Sequence, residues 1–216
     1  MTTQLKTPFT KDDVKIVEKN TAFEGFFQLD QVRLKHRLFE GGWSGEMSRE
    51  IFERGHAVAV LPYDPILDRV VFIEQFRPGA YAALSYEWSD KKSSPWLIEC
   101  VAGIIEKGEI PVNVAKREMI EETGLEVSDL IKIFHYLVSP GGSSESVFLY
   151  CGKVDSTKAN GIFGMTGEHE NIRVFSTSTE EAFELLDQGK ITNGMTIIGI
   201  QWLKLNFERL RTDWGS

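Results

Sequence analysis

Three glutamates stand close together in one short segment of the chain, at Glu118, Glu121 and Glu122. Residues three and four apart share a face of a helix, where like charges repel by about 0.2–0.5 kcal/mol per pair. A divalent cation in contact with all three carboxylates would remove that repulsion, and hard oxygen ligands favour Mg²⁺, Mn²⁺ or Ca²⁺ over zinc. The spacing therefore indicates a cation site, with a solvated acidic face on a surface helix as the alternative.

A helix is predicted for this segment, from Val112 to Thr123. Pro111 suits the first helical position, where its missing N–H costs nothing, and Gly124 suits the left-handed residue that ends a helix. Apolar residues at helical spacing form one stripe, and the glutamates flank it. The stripe consists of Val112, Ala115 and Met119.

The segment Gly103–Leu125 resembles the Nudix box of the Nudix hydrolases, Gly-x5-Glu-x7-Arg-Glu-U-x-Glu-Glu-x-Gly-U, in which U is a bulky aliphatic residue. Every specified position matches: Gly103, Glu109, Arg117, Glu118, Met119, Glu121, Glu122, Gly124 and Leu125. The resemblance implies a loop–helix–loop that binds Mg²⁺ and presents a diphosphate linked to another moiety for hydrolysis.

The resemblance also implies roles for single residues. The backbone carbonyl of Ala102 would hold Mg²⁺ together with Glu118 and Glu122, with Mn²⁺ as a substitute cation, and Glu121 would assist catalysis. An ion pair between Glu109 and Arg117 would hold the box together.

A second acidic group lies in the glycine-rich stretch Gly161–Asn171, which we expect to be a loop between two strands. Hydrolysis of a diphosphate needs a water activated by a metal, a base or both. In Nudix enzymes of this kind the base often lies on a mobile loop outside the box, so the resemblance makes Glu168 the base and Glu170 a further metal ligand. His169 is the alternative base, because its ordinary pKa suits neutral pH, and a plain polar loop is the alternative to all three roles.

Pro140 follows Gly124 by sixteen residues, and a proline near that position resembles the marker of the ADP-ribose pyrophosphatases within this family. An ordinary turn rich in Pro, Gly and Ser would look the same. The likeness to bacterial ADP-ribose pyrophosphatases covers nearly the whole chain and implies hydrolysis of ADP-ribose to AMP and ribose 5-phosphate. Two alternatives remain: a hydrolase of another nucleoside diphosphate sugar, such as GDP-mannose, and a Nudix-like domain that senses a nucleotide sugar without cutting it.

Arginines and aromatic residues are the candidates for substrate contacts. A guanidinium pairs two phosphate oxygens at once, so Arg49, Arg54 and Arg77 are the candidates to meet phosphate. The alternative is a surface ion pair with a neighbouring glutamate such as Glu50 or Glu74, which stays open for Arg77 and is the interpretation we favour for Arg54. An aromatic ring could stack on adenine, but a ring in an amphipathic strand is more often core or interface. The expected substrate contacts are Phe26, Phe27, Arg49, Glu50, Arg77, Ile104 and Glu145.

Composition narrows the class of protein. The chain has 216 residues and a net charge of −8, which argues against a nucleic-acid surface because such surfaces need clustered Lys and Arg. Cys100 and Cys151 lie in apolar stretches without metal or redox spacing, so buried free thiols are expected. The N-terminus has no apolar signal region and no run of about 18 apolar residues occurs. We expect a cytoplasmic enzyme with a small-molecule substrate and no membrane or nucleic-acid partner.

The first part of the chain is predicted to be an accessory antiparallel sheet, spanning residues 1–54. Val14–Val17, Phe26–Phe39 and Met47–Arg54 alternate apolar with polar residues, as half-solvated strands do. Such a sheet exposes an apolar face that it cannot cover alone, so we expect a homodimer in which this domain contributes to the interface and to substrate contacts. The expected face consists of Phe26, Leu29, Val32, Leu34 and Phe39.

Residues 55–216 are predicted to form the Nudix hydrolase domain, an α/β/α sandwich with a mixed sheet. Dense apolar runs predict strands covered on both faces, at Ala57–Pro62, Arg69–Gln75, Trp96–Ile105, Leu130–Val138, Ser146–Val154 and Ile172–Ser176. A capping box at Ser178–Glu181 predicts a helix over Glu180–Asp187. A last amphipathic helix is expected from Gly194 to Arg211, with an inward face of Ile197, Ile198, Trp202, Leu205 and Leu210.

Overall fold

The structure is a computed structural model that describes residues 9–87, 93–165, 167 and 169–215. The chain separates into two compact units. One contains the described residues up to Gly55 together with Leu137–Glu145, and the other contains His56–Tyr136 and the described residues from Ser146 onward.

The first unit is built on a three-stranded antiparallel sheet with the order β1-β2-β3. Its strands are β1 (Val14–Glu24), β2 (Gln28–His36) and β3 (Met47–Glu53). β1 is exposed along its whole length. In β2 the side chains of Asp30 and Val32 are buried, and Asp30 pairs with Lys19 of β1 at 2.7 Å.

The predicted second strand, Phe26–Phe39, was too long at both ends. Phe26 and Phe39 lie outside β2 and are 85% and 86% exposed, so neither contributes to a packed face of this strand. Gly41 and Gly42 take positive φ values of 96° and 81° in the turn toward β3, which only glycine adopts freely.

Within the described residues, the second unit contains an eight-stranded mixed sheet with the order β10-β11-β5-β4-β9-β8, in which β6 also pairs with β5 and β7 with β4. β4 and β9 are parallel, and β10–β11, β11–β5, β5–β4, β4–β7 and β5–β6 are antiparallel. The strands are β4 (His56–Asp64), β5 (Arg69–Phe76), β6 (Trp96–Glu99), β7 (Val101–Ile105), β8 (Asp129–Leu137), β9 (Ser146–Lys153), β10 (Gly161–Phe163) and β11 (Ile172–Ser178).

Alternation along β4 divides the core into two layers, because successive side chains of a strand point to opposite faces. Ala59 and Leu61 belong to a cluster that includes residues of α3 (Thr179–Asp187) and α4 (Gly194–Trp214). Val58 and Val60 belong to a second cluster that includes residues of α2 (Pro111–Thr123). Helices thus cover both faces of the sheet, and the predicted α/β/α sandwich is confirmed.

The helix of the box begins at Pro111 and ends at Gly124, which has a φ of +68°, as the sequence predicted. One member of its predicted apolar stripe was wrong. Val112 is exposed, and Val114 is buried beside Ala115 and Met119. Val112 is the second residue of α2, and the buried face of the helix begins two residues later, at Val114.

The two C-terminal helices follow the prediction closely. Ser178 caps α3, its hydroxyl oxygen accepting a hydrogen bond from the Glu181 N–H at 3.1 Å. In α4 the predicted inward position of Leu205 is wrong, since that side chain is 85% exposed. Ile200 and Leu203 fill the core instead.

Three other local predictions differ from the structure. The run Trp96–Ile105 is two strands that separate at Cys100, because β6 pairs with β5 and β7 with β4. A short helix, α1 (Pro78–Ala83), was not predicted, and β10 occupies the start of the predicted loop Gly161–Asn171. Both cysteines are free and buried, as expected.

Candidate metal and diphosphate site

Two carboxylates of α2 face strand β7. Glu122 is 5% exposed, and its Oε2 accepts a hydrogen bond from the Ala102 N–H at 3.2 Å. Glu118 lies one helical turn earlier, directly against Gly103. A Cβ atom on Gly103 would lie only 2.0 Å from the Glu118 Oε1, so the first glycine of the box provides the space that the Glu118 carboxylate occupies.

Burial and mutual repulsion raise the pKa of both carboxyl groups. Burial raises the pKa of Glu122 to about 8, and the negative charges of Glu118 and Glu170 add to this effect against the Ala102 hydrogen bond and the charge of Arg77. Burial likewise raises the pKa of Glu118. The positive charge of Arg117 acts to lower this pKa, and the negative charges of Glu121 and Glu170 act to raise it further. Buried carboxylates held close together with an excess of negative charge are a donor set that fits a hard divalent cation.

Arg117 connects the acidic residues of the box. Its Nη1 lies 2.9 Å from Glu118 Oε1 and 2.7 Å from Glu121 Oε2, and its Nη2 lies 3.8 Å from Glu109 Oε1. The structure therefore contains the expected pair of Glu109 and Arg117, but the two closer pairs lie within the helix. The Glu121 carboxylate pairs with Arg117, whereas the Glu122 carboxylate accepts a hydrogen bond from the Ala102 N–H.

The stretch around Glu170 lies within electrostatic reach of the helix carboxylates. The Glu170 Oε2 accepts a hydrogen bond from the Met165 N–H at 3.1 Å, and its charge raises the pKa of both Glu118 and Glu122. Glu168, the expected base, lies outside the described residues, and His169 is exposed with a φ of 57°. Across the described part of the chain no three His, Cys, Asp or Glu side chains are arranged to hold a metal ion. The arrangement consists of the buried Glu122 and the partly buried Glu118, with Glu170 contributing charge.

Phe163 of β10 anchors the strand that leads into this stretch. A Cβ atom on Gly124 would lie 2.8 Å from the Phe163 Cε1, so the ring lies directly against the glycine that ends α2. Phe163 also packs against the core cluster beneath α2. The end of the box helix and the strand before Glu170 are thereby in direct contact.

Arg77 lies near the Glu122 carboxylate of α2. It is close enough to Glu122 for its positive charge to lower the pKa of that carboxyl group. Its Nε and Nη2 atoms lie 2.9 Å and 2.8 Å from Glu99 Oε2. Ile104, on β7, is 39% exposed. It follows Ala102 and Gly103, the residues that lie against Glu122 and Glu118.

Several predicted substrate contacts lie in the first unit, where they form an aromatic cluster with one ion pair. The ring of Phe27 contacts those of Phe26 and Phe52, with centroids 4.8 Å and 5.2 Å apart, and the Arg54 guanidinium lies 5.6 Å from the Phe27 centroid. Arg54 also pairs with Glu145 at 3.2 Å.

Sequence reasoning did not single out Phe52, and it gave Arg54 the wrong partner. The sequence favours an ion pair of Arg54 with a neighbouring glutamate such as Glu50; the structure contains an ion pair, but its partner is Glu145, 91 positions later in the chain. A parallel bridge between Phe52 and Ser143 places Glu145 there, and no local signal in the sequence indicates such a bridge. Arg49 and Glu50 are exposed on β3, and Arg49 donates to the Ser48 carbonyl at 2.7 Å.

A cavity of about 600 Å³ lies elsewhere in the second unit. Its walls include Asp64 at the end of β4 and Lys153 at the end of β9, and Ile66 and Leu67 of the turn between β4 and β5. It contains none of the carboxylates discussed above, and the chemistry of the box gives it no role.

The chain belongs to the Nudix family, because the family model described as the NUDIX domain matches residues 53–193. The match includes the whole box, both helix carboxylates and Glu170.

Relatives within the family are similar over nearly the whole chain. The ADP-ribose pyrophosphatase of Escherichia coli (strain K12) is 47% identical over 211 residues, covering 98% of this chain and 97% of that protein. The ADP-ribose pyrophosphatase of Haemophilus influenzae is 43% identical over 206 residues, covering 95% and 93%. The GDP-mannose pyrophosphatase of Escherichia coli (strain UTI89 / UPEC) is 33% identical over 159 residues, covering 73% and 78%.

A solved structure, titled as the crystal structure of an ADP compounds hydrolase, shares the fold. Its TM-score is 0.61 at 18% identity, with 89% of this chain and 95% of that chain covered. Among the described residues no helix is both long enough and apolar enough to cross a membrane.

Proposed function

We propose that this protein is a Mg²⁺-dependent ADP-ribose pyrophosphatase that yields AMP and ribose 5-phosphate in the cytoplasm. The observation that carries the proposal is the placement of the buried Glu122 and the partly buried Glu118 against β7, within a complete Nudix box. Similarity to two bacterial ADP-ribose pyrophosphatases over more than nine tenths of the chain supports the choice of substrate.

Four residues would hold the cation: the Ala102 carbonyl and the carboxylates of Glu118, Glu122 and Glu170. Their hard oxygens suit Mg²⁺, with Mn²⁺ as a substitute. When bound, the cation would lower the pKa of a water and offset negative charge on the diphosphate. The raised pKa of Glu122 is a consequence of the same crowding that makes the residues suitable ligands.

The remaining steps fall to side chains of the protein. Glu168 would take the proton from the attacking water as general base. Arg77 would hold diphosphate oxygens through the guanidinium donors that Glu99 leaves free. Glu121 would assist by fixing Arg117, which keeps Glu118 in place.

Further substrate contacts are proposed for side chains of both units. Phe26 and Phe27 would stack on the adenine, since stacked aromatic surfaces suit planar bases. Polar and apolar contacts with the rest of the substrate are proposed for Arg49, Glu50, Ile104 and Glu145.

A panel of nucleoside diphosphate sugars tests the proposal. The protein would be incubated with Mg²⁺ and ADP-ribose, GDP-mannose or other substrates, and the phosphomonoesters released would be measured. We expect the highest kcat/KM with ADP-ribose, and none of this turnover in a Glu122→Gln control. Preferential hydrolysis of GDP-mannose would favour the second candidate, which the 33% identity to a GDP-mannose pyrophosphatase motivates. Binding without turnover of any substrate would instead indicate a sensor.

We also propose that residues 1–54 form a dimerisation domain of a homodimer and lend substrate contacts. The supporting observation is the fully exposed strand β1, which carries the uncovered apolar side chains Val14, Ile16, Val17 and Phe23. Monomeric soluble proteins rarely leave such a strand bare. Sedimentation at micromolar concentration should give a dimer that Ile16→Glu dissociates, whereas a wild-type monomer would rule out this assembly.

A further inference from the structure

Glu99, the last residue of β6, is a buried carboxylate with several hydrogen-bond donors. It is 2% exposed. Its Oε2 accepts from Arg77 Nε at 2.9 Å and from Gln75 Nε2 at 3.3 Å, and Arg77 Nη2 lies 2.8 Å from the same atom. Its Oε1 accepts from Asn193 Nδ2 at 2.8 Å. Because a buried charge is costly without partners, this set of donors fixes both oxygens of the carboxylate.

Among the described residues, Glu99 is the one ion-pair partner of the Arg77 side chain, and part of the guanidinium stays available for another anion. A guanidinium has five N–H donors in a rigid plane, and the Nε and Nη2 atoms of Arg77 meet a single oxygen of Glu99. Since the group is planar, fixing these two nitrogens also fixes the direction of Nη1. Arg77 is 38% exposed at its side chain, and its charge reaches Glu122.

Asn193 holds Glu99 from the opposite side and joins it to α4. Its Oδ1 accepts from the N–H and the hydroxyl of Thr196 at 3.1 Å and 3.0 Å, which caps the helix. The Thr196 hydroxyl oxygen in turn accepts from the Cys100 N–H at 2.8 Å. The end of β6 is therefore linked to the start of α4 at two successive residues, Glu99 and Cys100. These links leave the Glu99 carboxylate little freedom to turn.

We propose that Glu99 is a positioning residue that aims the free donors of Arg77 at a diphosphate, with Asn193 as the residue that fixes Glu99. The inference rests on the proposed function for the identity of the substrate. It goes beyond that function in assigning a role to a buried carboxylate and a helix cap that lie outside the Nudix box.

A double-mutant cycle tests whether Glu99 acts through Arg77. The four proteins are wild type, Glu99→Gln, Arg77→Ala and the double variant, and kcat/KM for ADP-ribose is the first readout. Glu99→Gln keeps the shape of the side chain but removes the charge that orients the guanidinium, so we expect a loss of about tenfold to a hundredfold, the range for a charge-assisted hydrogen bond. In the Arg77→Ala background the same change should have less than a twofold effect.

Binding of the methylene-bridged analogue of ADP, measured by calorimetry with Mg²⁺, is the second readout and needs no hydrolysis. The same cycle should show the same coupling in affinity. If the analogue binds with this coupling but ADP-ribose is not hydrolysed, the proposed function fails and the positioning role stands. Equal effects of Glu99→Gln with and without Arg77, or no effect of Arg77→Ala on either readout, would overturn the positioning role.

Two further variants separate positioning from stability. Glu74→Gln breaks the exposed pair with Arg173 on the neighbouring strand and should leave both readouts within about twofold of wild type. Asn193→Ser keeps an oxygen that can cap α4 but removes the donor to Glu99, so it should weaken analogue binding by about threefold to tenfold, and only when Arg77 is present. If Glu99→Gln does not fold, Asn193→Ser carries the same comparison, and unchanged affinity in it would overturn the proposal.

Discussion

Replacing Glu122 by Gln should stabilise the metal-free protein above neutral pH while abolishing its response to Mg²⁺. Burial raises the pKa of this carboxyl group from 4.5 to about 8, so the folded state holds a proton that the unfolded state releases. Below about pH 4.5 the carboxyl is protonated in both states. As the pH rises from there through 8, the unfolded state gains from ionisation and the folded state loses stability relative to it. Glutamine has no proton to lose and escapes this penalty.

The size of the effect follows from the shift. One pKa unit corresponds to about 1.36 kcal/mol, so a change from 4.5 to about 8 corresponds to roughly 4–5 kcal/mol. For a protein of this size each kcal/mol changes the melting temperature by roughly 2–4 °C. We therefore expect the Glu122→Gln variant without metal to melt about 10 °C above wild type at pH 8.5, and within about 2 °C of it at pH 4.

Thermal unfolding between pH 4 and 9, with chelator or with Mg²⁺, measures both parts of this prediction. Mg²⁺ should raise the melting temperature of wild type, because a ligand that binds only the folded state stabilises it. The variant should show no such rise and should lose turnover by orders of magnitude. Glu126→Gln, which removes the same charge from an exposed residue just beyond the helix, is the control and should melt within about 1 °C of wild type. A metal-free Glu122→Gln protein that melts no higher than wild type at pH 8.5 would refute the reasoning.

Two other predictions concern the same carboxylates. Gly103→Ala places a Cβ atom 2.0 Å from Glu118 Oε1, so this variant should fold but lose at least about a hundredfold in kcat together with most of its Mg²⁺-dependent thermal shift; turnover near the wild-type rate would contradict the packing argument. Glu168→Gln should lose roughly 10²–10⁴ in kcat with little change in KM, as expected for a missing general base, and raising Mg²⁺ should not restore it. Glu170→Gln should differ, because added cation can refill a weakened site, and His169→Ala should stay within about tenfold of wild type; cation rescue of the Glu168 variant alone would reverse the two assignments.

The sequence was most informative where local spacing determines structure. The box helix was predicted from Pro111, at its first position, and Gly124, the left-handed residue that follows its last turn. The cap of α3 by Ser178 was equally local. In each case the residues that decide the structure lie within a few positions of one another, so one short window of sequence contains the whole physical cause.

Prediction failed where the cause lies at long range or at the edge of a pattern. The pairs of Arg54 with Glu145 and of Glu99 with Asn193 join residues more than 90 positions apart, and no spacing rule reports them. Leu205 was assigned to the inward face of α4, but it follows the buried Leu203 by two residues, which turns it about 200° away from that side chain, and it is exposed. The two strands that separate at Cys100 pair with different neighbours, β6 with β5 and β7 with β4, and these pairings also lie at long range in the sequence.

Gly124 has two separate structural roles, one at the end of the box helix and one in its contact with Phe163. As the left-handed residue it ends the box helix, and as a residue without a side chain it leaves room for a ring on the strand that leads toward Glu170. Asparagine tolerates the left-handed conformation but would still collide with the ring. The two duties can therefore be told apart by substitution, since Gly124→Asn would preserve the helix end while displacing the segment that carries Glu170.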